Sequence, residues 1–385
     1  MPLRACFALP GLHRVNRGAE VVLEEVARRA HRHDVDLTLI GSGQPRPDQP
    51  YTFIHAPCIP REKFERFPKI PYARDHYAWE ELSFAPALLR QFKPHHFDVT
   101  LTCGYPWSNW LLRRGRRKTA AGHKSPAHVF VTQNGDWMVR SRSAEFKHFA
   151  CDALICTNPE IYDRHKDTHH AALIPNGVDV DRFHPPASDN DRAARAATRA
   201  DLGVSDNAAP LVLVVAALIG SKRVPDAVRC ASAIPGAYLI VAGDGEQRAE
   251  VDALGRSLLP GRFRRLTVPR DRMPDLYRAA DALLHMSTDE PFGNIYIEAL
   301  ATGLPVVAHD TPVTRWITAG HAHLADTTDP LAATAALARA LSDNSPAAAT
   351  TRAASARDRF SWDSIASQYC AFLHDTHRRN FRTSN

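Results

Sequence analysis

The sequence contains no run of about 18 or more apolar residues, so no stretch is able to cross a bilayer as a helix. The opening segment, Met1 to Pro10, is too short and too early broken by Pro10 for a secretion signal, and it reads better as a first buried strand. The chain is therefore expected in the cytoplasm. Cysteine is sparse and unpatterned. The seven (Cys6, Cys58, Cys103, Cys151, Cys156, Cys230 and Cys370) are odd in number, scattered and never spaced C-x-x-C, which argues against a disulfide framework or a zinc site. No P-loop sequence is present. Gly243-Asp244-Gly245 is not a dinucleotide fingerprint either, because Arg248 stands where a third glycine belongs. There is no internal repeat and no long low-complexity tract, and no recognised nucleic-acid-binding module accompanies the positive charge.

What is present is a globular chain of 385 residues, too long for one ordinary core and suited to two domains of ~150–200 residues. The formal net charge is +6, and it is concentrated: residues 61–118 carry 12 Lys/Arg against 6 Asp/Glu. The same stretch holds Phe64, Phe67, Tyr72, Trp79, Trp107 and Trp110. It is a candidate for peripheral contact with the anionic inner face of a membrane or with a phosphorylated acceptor, and equally reads as a solvated face with some core aromatics.

Short β-branched runs alternate with helical patterns, the rhythm of an open parallel α/β sheet. In the first half the expected strands are Leu3–Leu9, Val35–Ile40, Val99–Cys103, His128–Thr132 and Ala153–Cys156, with an amphipathic helix over Gly18–Arg32. In the second half they are Leu211–Ala217, Tyr238–Ala242, Leu266–Val268, Ala282–Met286 and Pro305–Ala308. Helices are expected from about Pro225, Pro274 and Gly293. Ile174-Pro175-Asn176-Gly177-Val178-Asp179 punctuates the two halves. Ala187–Ala209 is a helix or a surface loop, Thr327–Ser355 is weakly patterned, and Trp362–Arg378 is helical.

The most informative stretch runs from Asp289 to Leu300, after a strand and into a helix. Pro291 and Gly293 set the turn, and Asn294 stands near the helix start, where free backbone N–H groups favour an anion such as a diphosphate. Glu290 and Glu298 are poor partners for phosphate and better acceptors for sugar hydroxyls. A capped surface helix with acidic first turns would read similarly. Lys222 and Arg223 follow a parallel strand, at the end where ligands bind, and are suited to neutralise a leaving diphosphate; as isolated residues they also read as surface cations. Gly243 follows another strand and would let a ligand approach the backbone. Gly18, at the start of the first helix, fits a phosphate, an acceptor or a simple tight turn.

Together these residues resemble the retaining family-4 glycosyltransferases of the GT-B fold, over nearly the whole chain and most strongly from Ile174 to Trp316. Ile174–Asp179 with Phe183 and Pro185 is similar to that family's interdomain signature. Glu290 and Glu298 match its two glutamates with seven residues between, followed by Ala301-Thr302-Gly303-Leu304-Pro305-Val306-Val307-Ala308. Phe360-Ser361-Trp362 is similar to the start of its C-terminal helix. The resemblance implies two Rossmann-like domains with parallel sheets facing each other across a cleft. The first, 1–178, would bind the acceptor and the second, 179–360, the nucleotide sugar, with a helix at 361–385 crossing back to the first. It implies a hexosyltransferase moving sugar from a nucleoside-diphosphate sugar to a hydroxyl of a glycan, lipid-linked or small-molecule acceptor, with retention, no metal and no cofactor beyond the donor itself.

By position, the resemblance gives Glu298 the ribose hydroxyls. Glu290, with the backbone at Phe292, Gly293 and Asn294, receives the transferred sugar, Lys222 the diphosphate, and Gly18 a place opposite it. Two departures stand out. Ala217-Leu218 occupies the place of an Arg-Leu pair, five residues before Lys222, so Arg223 is the candidate substitute. Asn134 stands where the family often has a histidine near the donor sugar, which makes it a candidate catalytic residue with a different hydrogen-bonding capacity. The paired histidines (His31/His33, His95/His96, His169/His170) are expected at the surface, and no metal site is expected. A nucleotide-sugar epimerase of the same fold, or a non-catalytic binder of such nucleotides, are the alternatives. Transfer releases free nucleoside diphosphate only with acceptor present, epimerisation changes the sugar, and a binder does neither.

Overall fold

The computed structural model describes residues 1–114, 125–133, 135–140, 146–204, 206 and 208–382. The chain divides into two compact units: Met1–Asn176 together with the chain end from Trp362, and Gly177–Ser361.

The first unit is a parallel sheet of seven strands: β1 (Leu3–Ala8), β2 (Val35–Gly41), β3 (Thr52–His55), β4 (Val99–Thr102), β5 (Ala127–Val131), β6 (Ala153–Cys156) and β7 (His170–Leu173), in the order β3-β2-β1-β4-β5-β6-β7. Its helices are α1 (Gly18–Ala30), α2 (His76–Gln91), α3 (Trp107–Arg113), α4 (Trp137–Arg140) and α5 (Pro159–His165). A parallel sheet must be covered on both faces, and the run in β1 shows how. Ala5 and Phe7 face one layer, with Leu23 and Val26 of α1 and with Ile365, Tyr369 and Leu373 of the chain's last helix, Trp362–Arg382. Cys6 and Ala8 face the other, against Phe84 and Leu88 of α2. That last helix is thus part of the first unit's core, and Arg29 Nε donates to Asp363 Oδ1 at 2.6 Å beside it.

The second unit has six parallel strands, β8 (Leu211–Val215), β9 (Tyr238–Ala242), β10 (Phe263–Leu266), β11 (Ala282–Leu284), β12 (Val306–His309) and β13 (Ala322–Ala325), ordered β10-β9-β8-β11-β12-β13. Around them lie α6 (Asp189–Asp201), α7 (Val224–Ser232), α8 (Arg248–Leu258), α9 (Met273–Ala279), α10 (Asn294–Ala301), α11 (Pro312–Thr318), α12 (Pro330–Ser342) and α13 (Pro346–Phe360). Along β8, Leu211 and Leu213 pack with Tyr277, Tyr296 and Phe360, while Val212 and Val214 pack with Val224, Val228 and Leu337. Two layers of helix and a central sheet result. No helix among the described residues is long and apolar enough to cross a membrane.

Four sequence expectations change. β10 lies at Phe263–Leu266, not Leu266–Val268, because Leu266 closes the pairing with β9 opposite Ala242 and the chain then leaves the sheet. The stretch left open at Ala187–Ala209 holds helix α6, opened by a Ser188/Asp191 capping box. Buried Arg199 anchors it, donating to Asp281 Oδ2 at 3.0 Å and to the Ala279 carbonyl at 2.9 Å. The weakly patterned Thr327–Ser355 contributes α12 and α13. Strands β3, β7 and β13, not anticipated, complete the sheet edges.

One buried acid marks the turn after β4. Glu81, on α2, accepts the Ser108 N–H at 3.1 Å, and a Cβ on Gly104 would stand 1.8 Å from its Oε1. Burial pushes the carboxyl up to about 7. The folded state therefore holds this proton more tightly than the unfolded chain, so the stabilisation is complete below the ordinary carboxylate pKa and is lost as pH rises through about 7. Glu81→Gln removes the titration. Its stability relative to wild type should rise by about 2–3 kcal/mol between pH 5 and pH 8 in urea unfolding. A difference that stays flat across this range would refute the assignment.

Candidate functional site

In the second unit the chain order reverses between β8 and β11. From β8 the path goes to neighbouring β9 on one side, and from β11 to β12 on the other. The connections leaving these two strands diverge, and such a switch point leaves a crevice at the carboxyl ends. A cavity of about 360 Å³ lies there. Its walls come from Val215 to Ala217 after β8, Ala242 to Asp244 after β9, His285 after β11, and the turn into α10.

Two glycines shape these walls. A Cβ on Gly243 would stand 1.8 Å from the Ala216 carbonyl oxygen, so the two turns approach this closely only with glycine. Gly293 precedes α10 with φ 75°, left-handed, and its Cβ would meet the Tyr296 ring at 2.6 Å and Glu290 Cγ at 2.9 Å. Phe292 is buried, with Trp316 and Phe360 rings at 6.3 and 6.5 Å. Its side chain pins the turn from below. α10 begins at Asn294, and a helix start carries partial positive charge.

The cavity's charge is organised around Glu290. Its Oε2 accepts Lys222 Nζ at 2.5 Å and His285 Nε2 at 3.1 Å. Burial alone would raise this carboxyl, but the His285 bond and the Lys222 bond and charge outweigh it and hold Glu290 below the usual carboxylate range. Glu298, one turn along α10 from Asn294, does not line this cavity. Its Oε2 accepts the Tyr277 hydroxyl at 2.8 Å. Burial raises the Glu298 carboxyl, opposed by the Tyr277 bond and by the charges of Arg270 and Arg182.

The structure thus brings Lys222, Gly243, Glu290, Gly293 and Asn294 to one cavity, with Phe292 beneath and Glu298 behind. Arg223 is elsewhere. It sits at φ 51°, pairs with Asp226 at 2.8 Å and lies 3.5 Å from the Met286 carbonyl oxygen, and it is not part of the wall. Ala217, at the place of the family arginine, is part of the wall. Gly18 belongs to the first unit, where it opens α1 with no described atom within 4 Å of a Cβ position. Asn134 lies outside the described residues. His285 went unnoticed in the sequence; the signal was a lone histidine at the carboxyl end of a buried strand, five residues before Glu290. Among the described residues, no group of three or more His, Cys, Asp or Glu side chains is arranged to hold a metal ion.

Comparisons with known proteins agree with this fold. The family model for glycosyltransferase family 4 matches residues 16–182, and that for glycosyl transferases group 1 matches residues 199–357. A D-inositol 3-phosphate glycosyltransferase of Xylanimonas cellulosilytica is 35% identical over 238 residues, covering 56% of this chain and 55% of the relative. The chain spans about half the length of the curated relatives it matches. Among solved structures, the sucrose-phosphate synthase of Thermosynechococcus elongatus superposes with a TM-score of 0.67 at 20% identity, over 99% of this chain and 100% of that one. Anabaena HepE in complex with UDP and glucose gives a TM-score of 0.67 at 17% identity, over 97% and 100%. At these identities the likeness is one of fold.

The Gly293 turn yields a stability test. Gly293→Ala adds a methyl group against Tyr296 and Glu290 at a left-handed backbone position. It should cost about 1–3 kcal/mol in urea unfolding. A neutral effect would mean that the turn is not held as described.

Proposed function

We infer, for a chain that belongs to the family-4 glycosyltransferases, that this enzyme moves a sugar from a nucleoside-diphosphate sugar to an acceptor hydroxyl with retention and without a metal ion. The observation that carries the reading is the cavity in which Lys222 and Glu290 meet at the start of α10. The helix start and Lys222 suit a diphosphate. A carboxylate held ionised at the same place suits sugar hydroxyls, which donate to it. Glu298, behind the turn, is assigned the ribose hydroxyls, and the first unit is assigned the acceptor. In the step proposed, the bond from the anomeric carbon to the phosphate oxygen breaks. The acceptor oxygen bonds to that carbon on the same face, and the acceptor's proton passes to the leaving phosphate. Lys222 stabilises the charge that develops on the diphosphate, which supports transfer without a metal. Because Anabaena HepE was solved with UDP and glucose, UDP is the first nucleotide to try.

Thermal-shift titration with UDP, GDP, dTDP and ADP, each with and without magnesium, tests this directly. One nucleotide family should stabilise the protein, and magnesium should not matter. Glu298→Ala should weaken that nucleotide by about 10-fold or more, and Lys222→Ala should lower turnover by about 100-fold. Wild-type turnover in both variants would sink the site assignment.

The same reading extends to a membrane surface for the first unit, within the basic-aromatic segment 61–118. Of the nine large apolar side chains exposed among the described residues, five (Ile59, Phe67, Ile70, Tyr77 and Leu89) fall between residues 59 and 89. Phe67 packs on Trp79 at 5.3 Å, Trp79 Nε1 donates to the Pro68 carbonyl at 3.1 Å, and Ile70 pairs with Ala73 across a tight turn. The turn is therefore stapled to α2, with Lys63, Arg66 and Lys69 exposed in the same stretch as Glu62 and Glu65. Exposed apolar side chains beside an excess of cations suit an anionic bilayer. The protein should sediment with phosphatidylglycerol vesicles and not with phosphatidylcholine vesicles, and Phe67→Ser with Ile70→Ser should abolish this. Equal recovery with both lipids, or in the double variant, would remove the membrane from the reading.

A further inference from the structure

His285 is the least exposed polar group of the cavity wall, at 1% side-chain exposure. Its backbone N–H is tied to the Val307 carbonyl at 2.9 Å, and its ring stands edge-on to Tyr296 at 5.5 Å and 82°. Glu290 is held ionised, so Nε2 carries the proton in their 3.1 Å bond. The other ring nitrogen, Nδ1, is buried without a hydrogen-bond partner among the described residues. A leucine or phenylalanine would fill this strand end without stranding a polar atom, so the histidine carries a cost that packing alone does not offset. What it gains is the bond to Glu290.

That bond matters because of where the bonds to Glu290 fall. Lys222 and His285 both reach Oε2, and among the described residues nothing is hydrogen-bonded to Oε1. One oxygen is clamped and the other is left for a ligand. A diphosphate that enters shares or takes the three donors of the Lys222 ammonium group and weakens its hold on Glu290, whereas the histidine bond is not drawn on by the phosphate.

We propose that His285 is a positioning residue for the donor sugar: it holds Glu290 by Oε2 while Lys222 turns to the diphosphate, so that Oε1 stays aimed at a sugar hydroxyl. The inference rests on the donor reading given above. It assigns His285 no proton transfer and no contact with the reacting atoms. The part of the donor it serves is the sugar, not the nucleotide.

The test separates those two parts. UDP and UDP-glucose are titrated into wild type, His285→Leu, His285→Phe and His285→Gln by calorimetry, and transfer kinetics are measured with the same donor. (The GDP or dTDP pair is used if that nucleotide is the one that stabilises wild type.) The two apolar variants should keep diphosphate affinity within about twofold. They should lose the additional contribution of the sugar and about 10- to 100-fold in kcat, the loss expected for a charge-assisted hydrogen bond. His285→Gln, whose amide can still donate to Glu290, should recover most of both. An apolar variant that folds, binds the diphosphate and keeps wild-type sugar affinity and kcat overturns the inference and leaves the donor reading intact. A glutamine variant as impaired as the apolar ones also overturns it, since ring packing would then account for the loss. Failure of wild type to bind either the diphosphates or their sugars overturns the donor reading, and this inference with it.

Discussion

Two adjacent parallel strands whose connections leave in opposite directions are the constraint on which the site depends. β8 and β11 are neighbours, but one leads out towards β9 and the other towards β12. No connection can cover the gap between them, so a crevice persists however the side chains change. Most of what is assigned to the donor stands on its rim: Lys222 in the turn after β8, Gly243 after β9, and His285 with the Glu290 turn after β11, with Glu298 behind. The hydrophobic layers above and below the sheet fix the strand ends, and the strand ends fix the spacing of the charges.

Electrostatics then decides what the crevice is for. A carboxylate taken out of water is costly unless paired, and Glu290 is paired twice on one oxygen. Lys222 and Glu290 cancel, and Asp244 in the wall adds a negative charge, so the side chains alone do not favour an anion. On the donor reading, a diphosphate draws on Lys222 while Glu290 keeps its second partner, His285. The backbone start of α10 adds positive potential that needs no counter-charge and survives the exchange.

The central strands were legible because parallel strands buried on both faces must be apolar throughout, as in Leu211–Val215 and Tyr238–Ala242. The strands that were missed or displaced, β3, β7, β10 and β13, are the four sheet edges. Each is only partly buried, and residues such as Arg264, His170 and His323 break the apolar run. Edge strands are recognised by pairing, which a single sequence does not display. The donor turn was readable for the opposite reason: Pro291, Gly293 and the two glutamates are local. His285 was not, since its meaning lies in a contact with Glu290 across a turn. The position of Arg223 was also closed to sequence reading, because its partner Asp226 is a helix residue that captures the guanidinium in the folded chain.

That capture bears on how few cations the cavity commands. With Ala217 in the wall and Arg223 turned to Asp226, Lys222 is left, among the described residues, as the cation in contact with the crevice. A diphosphate carries more charge than one lysine can balance, and on the donor reading the helix start would supply more through N–H groups whose placement depends on the Gly293 turn. Backbone donors are rigid and do not seek out a phosphate as a long side chain does. On the donor reading, the site relies on preorganisation more than on charge, and the parts that look merely structural (buried Phe292, left-handed Gly293 and the histidine behind Glu290) are those that would set the donor's orientation.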